Sequence, residues 1–414
     1  RLENTTVWSF KSRGSWATHD GKYRGNWSPY IPRNVILRYS SPGDTVLDCF
    51  CGAGTTGIES RLTGRHFIGV DINPTAVEMT RNNLPFPPDW TLADTKAVLR
   101  VGDAKDLSFI ADGDVDLICT HPPYADIVQY TADDPEDLSH LGRDEFIAQM
   151  RVVAKENLRV LKDGGVCAIL IGDMRRRKRV VPLGFDLIDV YRNAGFRLRE
   201  LVIKRQHNCK TTGFWRENSV KYNFLLLAHE YLAILEKPSN GVRDRKRVTV
   251  TYLPEKRSRT KKPGELETTT VWILDRRGWY GQMVSNLVER YGASHSYCRC
   301  VADPKGHIQL PRHRRKLVIV DCLDIDWHNG SLETVLAAPQ KVLSGGHFAV
   351  VCRDIRMNDG SIVPSALEIE RRLRTLGQVK IKEVVVVSPE PHDPEDVTGR
   401  LAVVHRYVLV YEVE

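Results

Sequence analysis

The fold of this chain is decided by the stretch TVLDCFCGAGTTG at residues 45–57. Residues 45–50 are mostly apolar and predict a buried strand, while residues 51–57 predict a glycine-rich turn with a helix beginning near Thr55. Gly52 and Gly54 carry no Cβ, so the backbone there can turn sharply and approach a ligand closely. A strand, a glycine turn and a helix in this order are typical of nucleotide-binding α/β folds, and a plain tight turn is the alternative.

Strand-like and helix-like segments alternate on both sides of this turn up to about residue 235. Further strands are predicted at residues 66–71, 99–101, 115–120, 166–171, 197–203 and 222–227. Helices are predicted at residues 73–84, 146–161 and 183–194. Alternation of this kind predicts an α/β fold with a doubly wound sheet and helices on both of its faces.

Acidic residues follow the next two predicted strands. Asp71 closes one strand, where a carboxylate can accept both hydroxyls of a ribose, and Asp103 follows the next, where it can accept an adenine amino hydrogen. This arrangement indicates a binding site for S-adenosylmethionine. The chain contains no Gly-Lys-Ser/Thr sequence, which disfavours a nucleoside triphosphatase that cradles phosphates.

The sequence THPPY at residues 120–124 ends the strand predicted at 115–120. It resembles the Asp/Asn/Ser-Pro-Pro-aromatic signature of the amino-methyltransferases that act on adenine N6 or cytosine N4. Residues 25–32, the glycine turn, Asp71 and Asp103 fall in that family's places, and the resemblance covers about residues 5–235. It implies a class I (Rossmann-like) methyltransferase fold, S-adenosyl-L-methionine as the methyl donor, and a base flipped out of DNA as the substrate.

The same resemblance assigns roles to individual residues. It implies catalytic roles for His121, Pro122, Pro123 and Tyr124. It implies cofactor contacts from Tyr30, Pro32, Asp48, Phe50, Gly52, Gly54, Thr55, Thr56, Asp71, Ile72, Asp103, Ala104 and His121. No metal is implied.

The chemistry of an exocyclic amine explains this signature. The amine is a poor nucleophile because its lone pair is conjugated with the ring. Hydrogen bonds from its hydrogens to residue 121 and to the Pro122 carbonyl would draw the nitrogen towards tetrahedral geometry, for direct in-line attack on the sulfonium methyl. Tyr124 is expected to stack on the flipped base. The chain has no Pro-Cys pair, which methylation of cytosine carbon 5 would need.

Histidine stands at residue 121 where the family usually has Asp, Asn or Ser. A neutral imidazole accepts one hydrogen bond and an imidazolium accepts none, so we predict that activity falls as the pH drops through the imidazole pKa, ordinarily about 6.5. A structural His121 with its ring turned away is the alternative. Thr120 favours cytosine N4, whereas adenine N6 is the commoner family product, and both remain open. An RNA base methyltransferase and a non-catalytic DNA-binding subunit of a modification complex are the rival functions.

Basic residues are unevenly distributed along the chain, whose net charge is +8. Residues 243–262 hold nine Lys or Arg and two acidic residues, as in a polyanion-binding segment or a solvated linker. A second run of five cations lies past the strand predicted at 166–171, at the edge where ligands bind. The predicted DNA contacts are Arg175, Arg176, Arg177, Lys178, Arg179, Lys210 and Trp215. We expect the partner to be double-stranded DNA, as for a restriction-modification enzyme.

The second half of the chain repeats the first in a degraded form. The order of similar segments is the same: residues 5–8 recur at 269–272, 13–16 at 277–279, 160–166 at 342–348, 172–175 at 353–356, and 201–204 at 381–384. The predicted domains are a methyltransferase domain at 1–238, a basic linker at 239–266 and a degenerate α/β half-copy at 267–414. The half-copy has neither glycine turn nor Pro-Pro-Tyr, so it is predicted to be inert and to serve DNA contact or association with a second copy or a partner subunit. An unrelated α/β domain is the alternative.

Several other classes of protein are disfavoured. No stretch approaches the ~20 apolar residues of a membrane span. Nine cysteines include no Cys-x-x-Cys pair, which argues against a zinc site or a disulfide framework. We therefore expect a cytoplasmic protein with reduced thiols and no membrane association.

Overall fold

The computed structural model describes residues 3, 5–23, 25–86, 94–125, 130–131, 136–207, 210–239, 269–292, 296–301, 307–323, 331–390, 401 and 403–414. The elements of the first half are β1 (Val7–Ser9), α1 (Tyr30–Tyr39), β2 (Thr45–Asp48), α2 (Thr55–Leu62), β3 (His66–Asp71), α3 (Pro74–Asn83), β4 (Ala97–Val101), β5 (Val115–Thr120), α4 (Arg143–Val160), β6 (Leu161–Gly172), β7 (Met174–Arg176), β8 (Arg179–Val181), α5 (Leu183–Ala194), β9 (Arg197–Arg205), α6 (Lys210–Lys221) and β10 (His229–Glu236). Those of the second half are β11 (Val271–Asp275), α7 (Trp279–Tyr291), β12 (Tyr297–Val301), β13 (Arg315–Asp321), α8 (Ser331–Ala337), β14 (Val342–Cys352), β15 (Ile355–Arg356), β16 (Ile362–Val363), α9 (Ser365–Thr375), β17 (Val379–Glu390) and β18 (Arg406–Val413).

Eight strands of the first half form one sheet in the order β1-β9-β10-β6-β5-β2-β3-β4. Neighbours run parallel except β10, which is antiparallel to both β6 and β9. The seven strands from β9 to β4 have the order of a class I methyltransferase, including its single reversed strand. The predicted fold class is therefore confirmed, and β1 adds an eighth strand beside β9.

Helices cover both faces of this sheet. Successive side chains of β6 are therefore buried alternately in an apolar cluster on one face and an apolar cluster on the other. Cys167 and Ile169 pack in a cluster with residues of α4 and α5. Ala168 and Leu170 pack on the other face with residues of α1. Helix α4 presents one apolar stripe to the sheet, which includes Phe146, Met150, Val153, Ala154 and Val160.

The strand predicted at residues 222–227 is wrong. These residues follow α6, and the last strand of the sheet is β10, residues 229–236. Residues 222 and 223 form a turn, with Asn223 at a φ of 49°, and the backbone of residues 225 and 226 bonds to the second half instead of a sheet neighbour. The Leu225 amide donates to the Glu383 carboxylate at 2.9 Å, and the Leu226 carbonyl accepts from the Thr270 amide at 2.9 Å.

The second half forms a six-stranded sheet in the order β11-β17-β18-β14-β13-β12. This order equals β1-β9-β10-β6-β5-β2 of the first sheet, with β18 reversed like β10. A two-stranded hairpin follows the long strand in each half, β7–β8 after β6 and β15–β16 after β14. In the described part of the second half, no strand corresponds to β3 or β4, which are the strands on the glycine-turn side.

Strand pairing fixes how the halves correspond. Val7 pairs with Ile203 and Val271 pairs with Val386, so Ile203 corresponds to Val386. The predicted match of residues 201–204 with 381–384 is therefore three residues out of register. Both segments are short β-branched runs, and apolar pattern alone does not fix their alignment.

The two halves pack through reciprocal polar contacts. The Thr6 hydroxyl bonds the His405 ring at 2.8 Å, and the corresponding Thr270 hydroxyl bonds the His229 ring at 2.9 Å. Likewise Arg175 pairs with Glu383, and Arg356 pairs with Glu200, each at 2.5 Å. Contacts repeated with exchanged roles are the property of an isologous, twofold interface.

Three smaller points complete the fold. In the described ranges, every helix is too short or too polar to cross a membrane. The eight cysteines of these ranges are free thiols, and seven of them are buried. The predicted basic linker, residues 239–266, lies outside the described residues except for residue 239.

Candidate active site

The glycine turn leads from β2 into α2, as the sequence predicts. Gly52 and Gly54 have φ values of 51° and 84°, in the left-handed region that favours glycine. A Cβ on Gly54 would lie 2.8 Å from the Thr80 side chain, so the turn also packs too tightly there for a larger residue. The Gly54 φ lets the chain reverse directly into the first turn of α2.

A cavity opens beside this turn, at the carboxyl ends of β2, β3 and β4. Eight of the predicted cofactor residues line it: Asp48, Phe50, Gly52, Asp71, Ile72, Asp103, Ala104 and His121. Parallel strands bring their carboxyl ends to one edge of the sheet, which explains why residues so distant in sequence meet there.

Asp71 is held with its carboxylate facing the turn. Its oxygens accept the Gly52 amide at 2.8 Å and the Asn73 amide at 3.0 Å, and burial raises its pKa. Each carboxylate oxygen keeps a further lone pair, so two ribose hydroxyls could still be accepted. Asp103 accepts the Lys105 amide at 2.9 Å and lies 3.2 Å from the Lys105 ammonium.

Asp48 supports the floor of the cavity. Its carboxylate accepts hydrogen bonds from the Thr120 hydroxyl at 2.6 Å and the Thr56 hydroxyl at 2.5 Å, which tie β2 to β5 and to α2. Burial raises the pKa of Asp48 to about 6. Thr56 thus lies behind Asp48, one layer away from the cavity.

The remaining predicted cofactor residues do not line the cavity. The Tyr30 ring stacks on Phe10 with 5.0 Å between centroids, and Pro32 is buried in the α1 packing. Gly54 and Thr55 form the turn and the first residue of α2, where their backbone shapes the loop. These residues lie behind the residues that face the cavity, and they hold the wall of the cavity in position.

Other residues of the cavity wall were missed by sequence reasoning. Tyr23, Tyr130, Asp137 and Leu138 line it, and no sequence motif marks them; Trp27, from the segment 25–32 that the resemblance includes, lines it too. The segment at residues 125–144, which is polar and acidic, is described at 125, 130–131 and 136–144. Its Tyr130 carbonyl accepts the Asn73 side-chain amide at 2.9 Å, and Glu136 pairs with Lys105 at 2.5 Å. Tyr130 and residues 136–138 of this segment therefore form part of the cavity wall.

His121 occupies the point where this cavity meets a second one. Its ring stacks on Trp27, with 5.5 Å between centroids and 19° between planes, and its Nε2 lies 2.9 Å from the Tyr124 hydroxyl. Burial lowers the pKa of His121 to about 4, so the ring is neutral at neutral pH. The ring faces the cavities and is not turned away from them.

Tyr124 is anchored by a buried ion pair. Its hydroxyl donates to Glu230 at 2.7 Å, and the other Glu230 oxygen lies 2.7 Å from the Lys204 ammonium. Burial opposes ionisation of Glu230, but the charge of Lys204 together with the hydrogen bonds from Lys204 and Tyr124 outweighs it and lowers the pKa of Glu230 to about 2. Glu230 and Lys204 are 106 and 80 positions beyond Tyr124, on β10 and β9, so no local sequence signal marks them.

The second cavity continues along the same sheet edge, over β10, β9 and β1. Its wall includes Pro122, Tyr124, Glu230 and Lys204, and it shares Gly25, Asn26, Trp27, His121 and Tyr130 with the first. The edge is thus divided between two adjoining cavities. The Pro-Pro-Tyr turn stands between them.

The residues predicted to contact DNA are placed differently from one another. Arg175 donates to buried Glu383 and to the Leu225 carbonyl, and Arg179 pairs with Glu412 at 3.0 Å, so both guanidinium groups bind the second half. Arg176, Arg177 and Lys178 are exposed in the turn of the β7–β8 hairpin. Lys178 lies over the Tyr222 ring at 4.8 Å. Trp215 is exposed on α6; the side chain of Lys210, at the start of that helix, lies outside the description.

Comparison with known proteins agrees with this geometry. The sequence profile of the DNA methylase family N6_N4_Mtase matches residues 2–82 and 115–388. A tRNA (guanine(10)-N2)-dimethyltransferase of Methanothermobacter thermautotrophicus is 39% identical over 103 residues, 25% of this chain and 29% of the relative. The DNA adenine methyltransferase YhdJ of Escherichia coli is 34% identical over 88 residues, 21% of this chain and 30% of the relative. The chain thus spans under a third of the length of each.

Among solved structures, an S-adenosylmethionine-dependent methyltransferase from Methanosarcina mazei aligns with a TM-score of 0.34 and 16% identity. The alignment covers 49% of this chain and 97% of that structure.

Proposed function

The chain belongs to the DNA methylase family N6_N4_Mtase, and from this membership we propose that it methylates the exocyclic amino group of a base in DNA, adenine N6 or cytosine N4, with S-adenosylmethionine as the donor. The observation that carries the proposal is the position of His121-Pro122-Pro123-Tyr124. The first of these residues lies between a cavity suited to the cofactor and a second cavity walled by the signature itself.

The first cavity fits the cofactor by its donor and acceptor set. Asp71, already held by two backbone amides, would accept the ribose hydroxyls, and Asp103 would accept the adenine amino group. Phe50 and Ile72 offer apolar surface for the adenine ring. S-adenosylmethionine supplies an activated methyl group on its sulfonium sulfur.

The hydrogen bonds around Tyr124 restrict the partners of His121. Glu230 is ionised and can only accept, so Tyr124 gives its single proton to Glu230. The Tyr124 oxygen lies 2.9 Å from Nε2 of His121, and the neutral ring also forms a hydrogen bond with the Gly25 backbone. The Pro122 carbonyl would accept one amino hydrogen of a flipped base, and a His121 nitrogen released from its present partner would accept the other, which exposes the nitrogen lone pair for direct transfer.

Methyl-labelled cofactor incubated with duplex DNA and, separately, with total RNA tests the proposal. Label incorporated into DNA at an exocyclic amine is expected, with Tyr124→Ala reducing it and cofactor binding retained in that variant. Nucleoside analysis of the digested DNA then distinguishes adenine N6 from cytosine N4. Absence of label from DNA, in a preparation that binds the cofactor, would refute the proposal.

An RNA base is the second candidate substrate. The observation that favours it is the 39% identity to a relative named for a tRNA guanine. Label found only in the RNA arm of the same experiment would establish this alternative.

A further inference from the structure

The aromatic ring of Tyr124 lies directly against the backbone of Gly172, the last residue of β6. A Cβ on Gly172 would lie 2.9 Å from Cε2 of the ring and 3.4 Å from its Cζ. Carbon atoms in contact are ordinarily about 3.5–4.0 Å apart, so a larger residue would displace the ring. The φ of Gly172 lies outside the left-handed region, and its backbone therefore does not require a glycine. The space that the Tyr124 ring occupies accounts for the glycine instead.

Strand pairing places Gly172 beside the anchor of the same ring. Gly172 is the partner of Glu230 in the antiparallel pair of β6 and β10. Glu230 accepts the Tyr124 hydroxyl at 2.7 Å, and its other oxygen lies 2.7 Å from the Lys204 ammonium. Gly172 is buried and lines neither cavity, so it can affect a bound base only through the side chains that rest on it. Gly172, Glu230 and Lys204 together form the seat of the Tyr124 ring.

The second half shows which residues stand at these positions where no Pro-Pro-Tyr turn is present. Strand pairing fixes the correspondence, because β14, β17 and β18 pair in the same register as β6, β9 and β10. The three positions of the ring seat, Gly172, Lys204 and Glu230, correspond to Arg353, Val387 and Arg406. Their neighbours Asp173, His229 and Tyr231 correspond to residues of the same type, Asp354, His405 and Tyr407. The ring seat therefore occurs together with the Pro-Pro-Tyr turn, whereas the residues next to it occur in both halves.

We propose that Gly172 is a positioning residue for methyl transfer, because the absence of a side chain there lets the Tyr124 ring lie flat on β6 and β10 within reach of Glu230. This inference rests on the proposed function, in which the ring stacks on the flipped base. Gly172 lies behind the ring, and Tyr124 forms part of the wall of the second cavity. A methyl group at residue 172 would therefore push the ring into the space that the base needs.

The kinetics of Gly172→Ala test this role. The ring would have to move by about 0.6 Å or more to restore an ordinary carbon contact. Since a misplacement of about 1 Å can cost about 100-fold in rate, we expect the turnover number for methyl transfer to duplex DNA to fall about tenfold. The dissociation constant of the cofactor, measured by calorimetry, should not change, because neither Gly172 nor Tyr124 lines the first cavity. The control is Gly281→Ala on α7, where a Cβ would meet nothing within 4 Å, and its turnover number should be normal.

A double-mutant cycle with Tyr124→Ala shows whether Gly172 acts through the ring. In urea titrations, Gly172→Ala should lower the unfolding midpoint of the otherwise unaltered chain, because the added methyl group overpacks the seat. The same substitution should not lower the midpoint of Tyr124→Ala, in which the ring is missing. This measurement needs no methyl transfer, so it does not depend on which nucleic acid the protein methylates.

A tenfold slower turnover with unchanged cofactor affinity, and a midpoint shift that disappears in the Tyr124→Ala background, support the positioning role. A normal turnover number in Gly172→Ala, or equal midpoint shifts in both backgrounds, overturns it. If Gly172→Ala does not fold, the double variant decides: a folded double variant supports the role, and an unfolded one overturns it. A chain that shows the coupled midpoints but methylates no DNA contradicts only the proposed function, whereas DNA methylation at a normal rate by Gly172→Ala contradicts only the positioning role.

Discussion

Replacing Glu230 by Gln tests the buried network under the signature. The substitution keeps an oxygen for the Tyr124 proton and removes the charge that faces Lys204. A pKa of about 2, against an ordinary 4.5, corresponds to about 3 kcal/mol of stabilisation by ionised Glu230. Lys204, whose side chain is only 18% exposed, would lose its partner. We therefore expect the free energy of unfolding to fall by about 3 kcal/mol at pH 7.

The stability that Glu230 contributes should change with pH in a definite direction. The pKa of Glu230 is lower in the folded state, so its stabilisation is complete above the unfolded pKa of about 4.5 and is lost as the pH falls towards 2. The difference between the unaltered chain and Glu230→Gln in urea unfolding should thus shrink between pH 4.5 and the lowest pH at which the protein stays folded.

Glu78→Gln is the matched control. Glu78 lies on α3 and pairs with Arg81, and both side chains are more than half exposed. Such a pair is worth up to about 1 kcal/mol. If both variants lose the same stability at pH 7, the reasoning about a buried, charge-stabilised anchor is wrong. Methyl transfer should slow about tenfold or more in Glu230→Gln and remain normal in the control, since a weaker Tyr124 anchor costs at least ~1.4 kcal/mol in positioning.

Three further predictions concern the cofactor, the acid limit and the interface. Asp71→Asn should weaken cofactor binding at least tenfold by calorimetry, because an amide accepts only through its single oxygen; unchanged affinity would contradict the ribose role. With the His121 pKa at about 4, the rate of methyl transfer should stay level from pH 7 to about 5 and fall only near 4. The rate divided by that of a His121→Asn variant, whose side chain does not titrate, should show the same fall, because acid unfolding affects both proteins alike. Glu383→Gln and its counterpart Glu200→Gln should each lower the free energy of unfolding by about 3 kcal/mol in urea titrations, because each removes the partner of an interface arginine; a negligible cost in both would exclude a stabilising role for these pairs.

The sheet and its cofactor edge were predictable because they follow local rules. A glycine turn after an apolar strand, with acidic residues closing the next strands, places Asp71 and Asp103 at one edge by topology alone. The helices predicted near Thr55 and at residues 73–84, 146–161 and 183–194 are present as α2 to α5. These helices could be predicted from the apolar periodicity of their sequences and from the glycine or proline residues at their ends.

The second cavity could not be predicted in the same way. Glu230 and Lys204 reach Tyr124 only because β10 inserts antiparallel between β6 and β9, and nothing near residue 124 encodes that pairing. The strand predicted at 222–227 failed for a related reason, since its backbone partners lie in the second half, at Thr270 and Glu383. The expected acid limit near pH 6.5 was too high because burial of His121 is a tertiary property.

The internal correspondence explains which features the second half shares with the first. Thr6, His229, Glu200 and Arg175 all have counterparts that make the same contact across the interface, whereas the glycine turn and the Pro-Pro-Tyr turn have none. The common features are therefore those that hold two halves together, and the unshared ones are those that would hold a cofactor and an amine. A self-complementary surface buries its hydrogen-bonding groups only when both sides are present. The second half consequently buries hydrogen-bonding groups that the first half presents at this interface, and β10, which carries Glu230 to the active site, is bonded to it through His229.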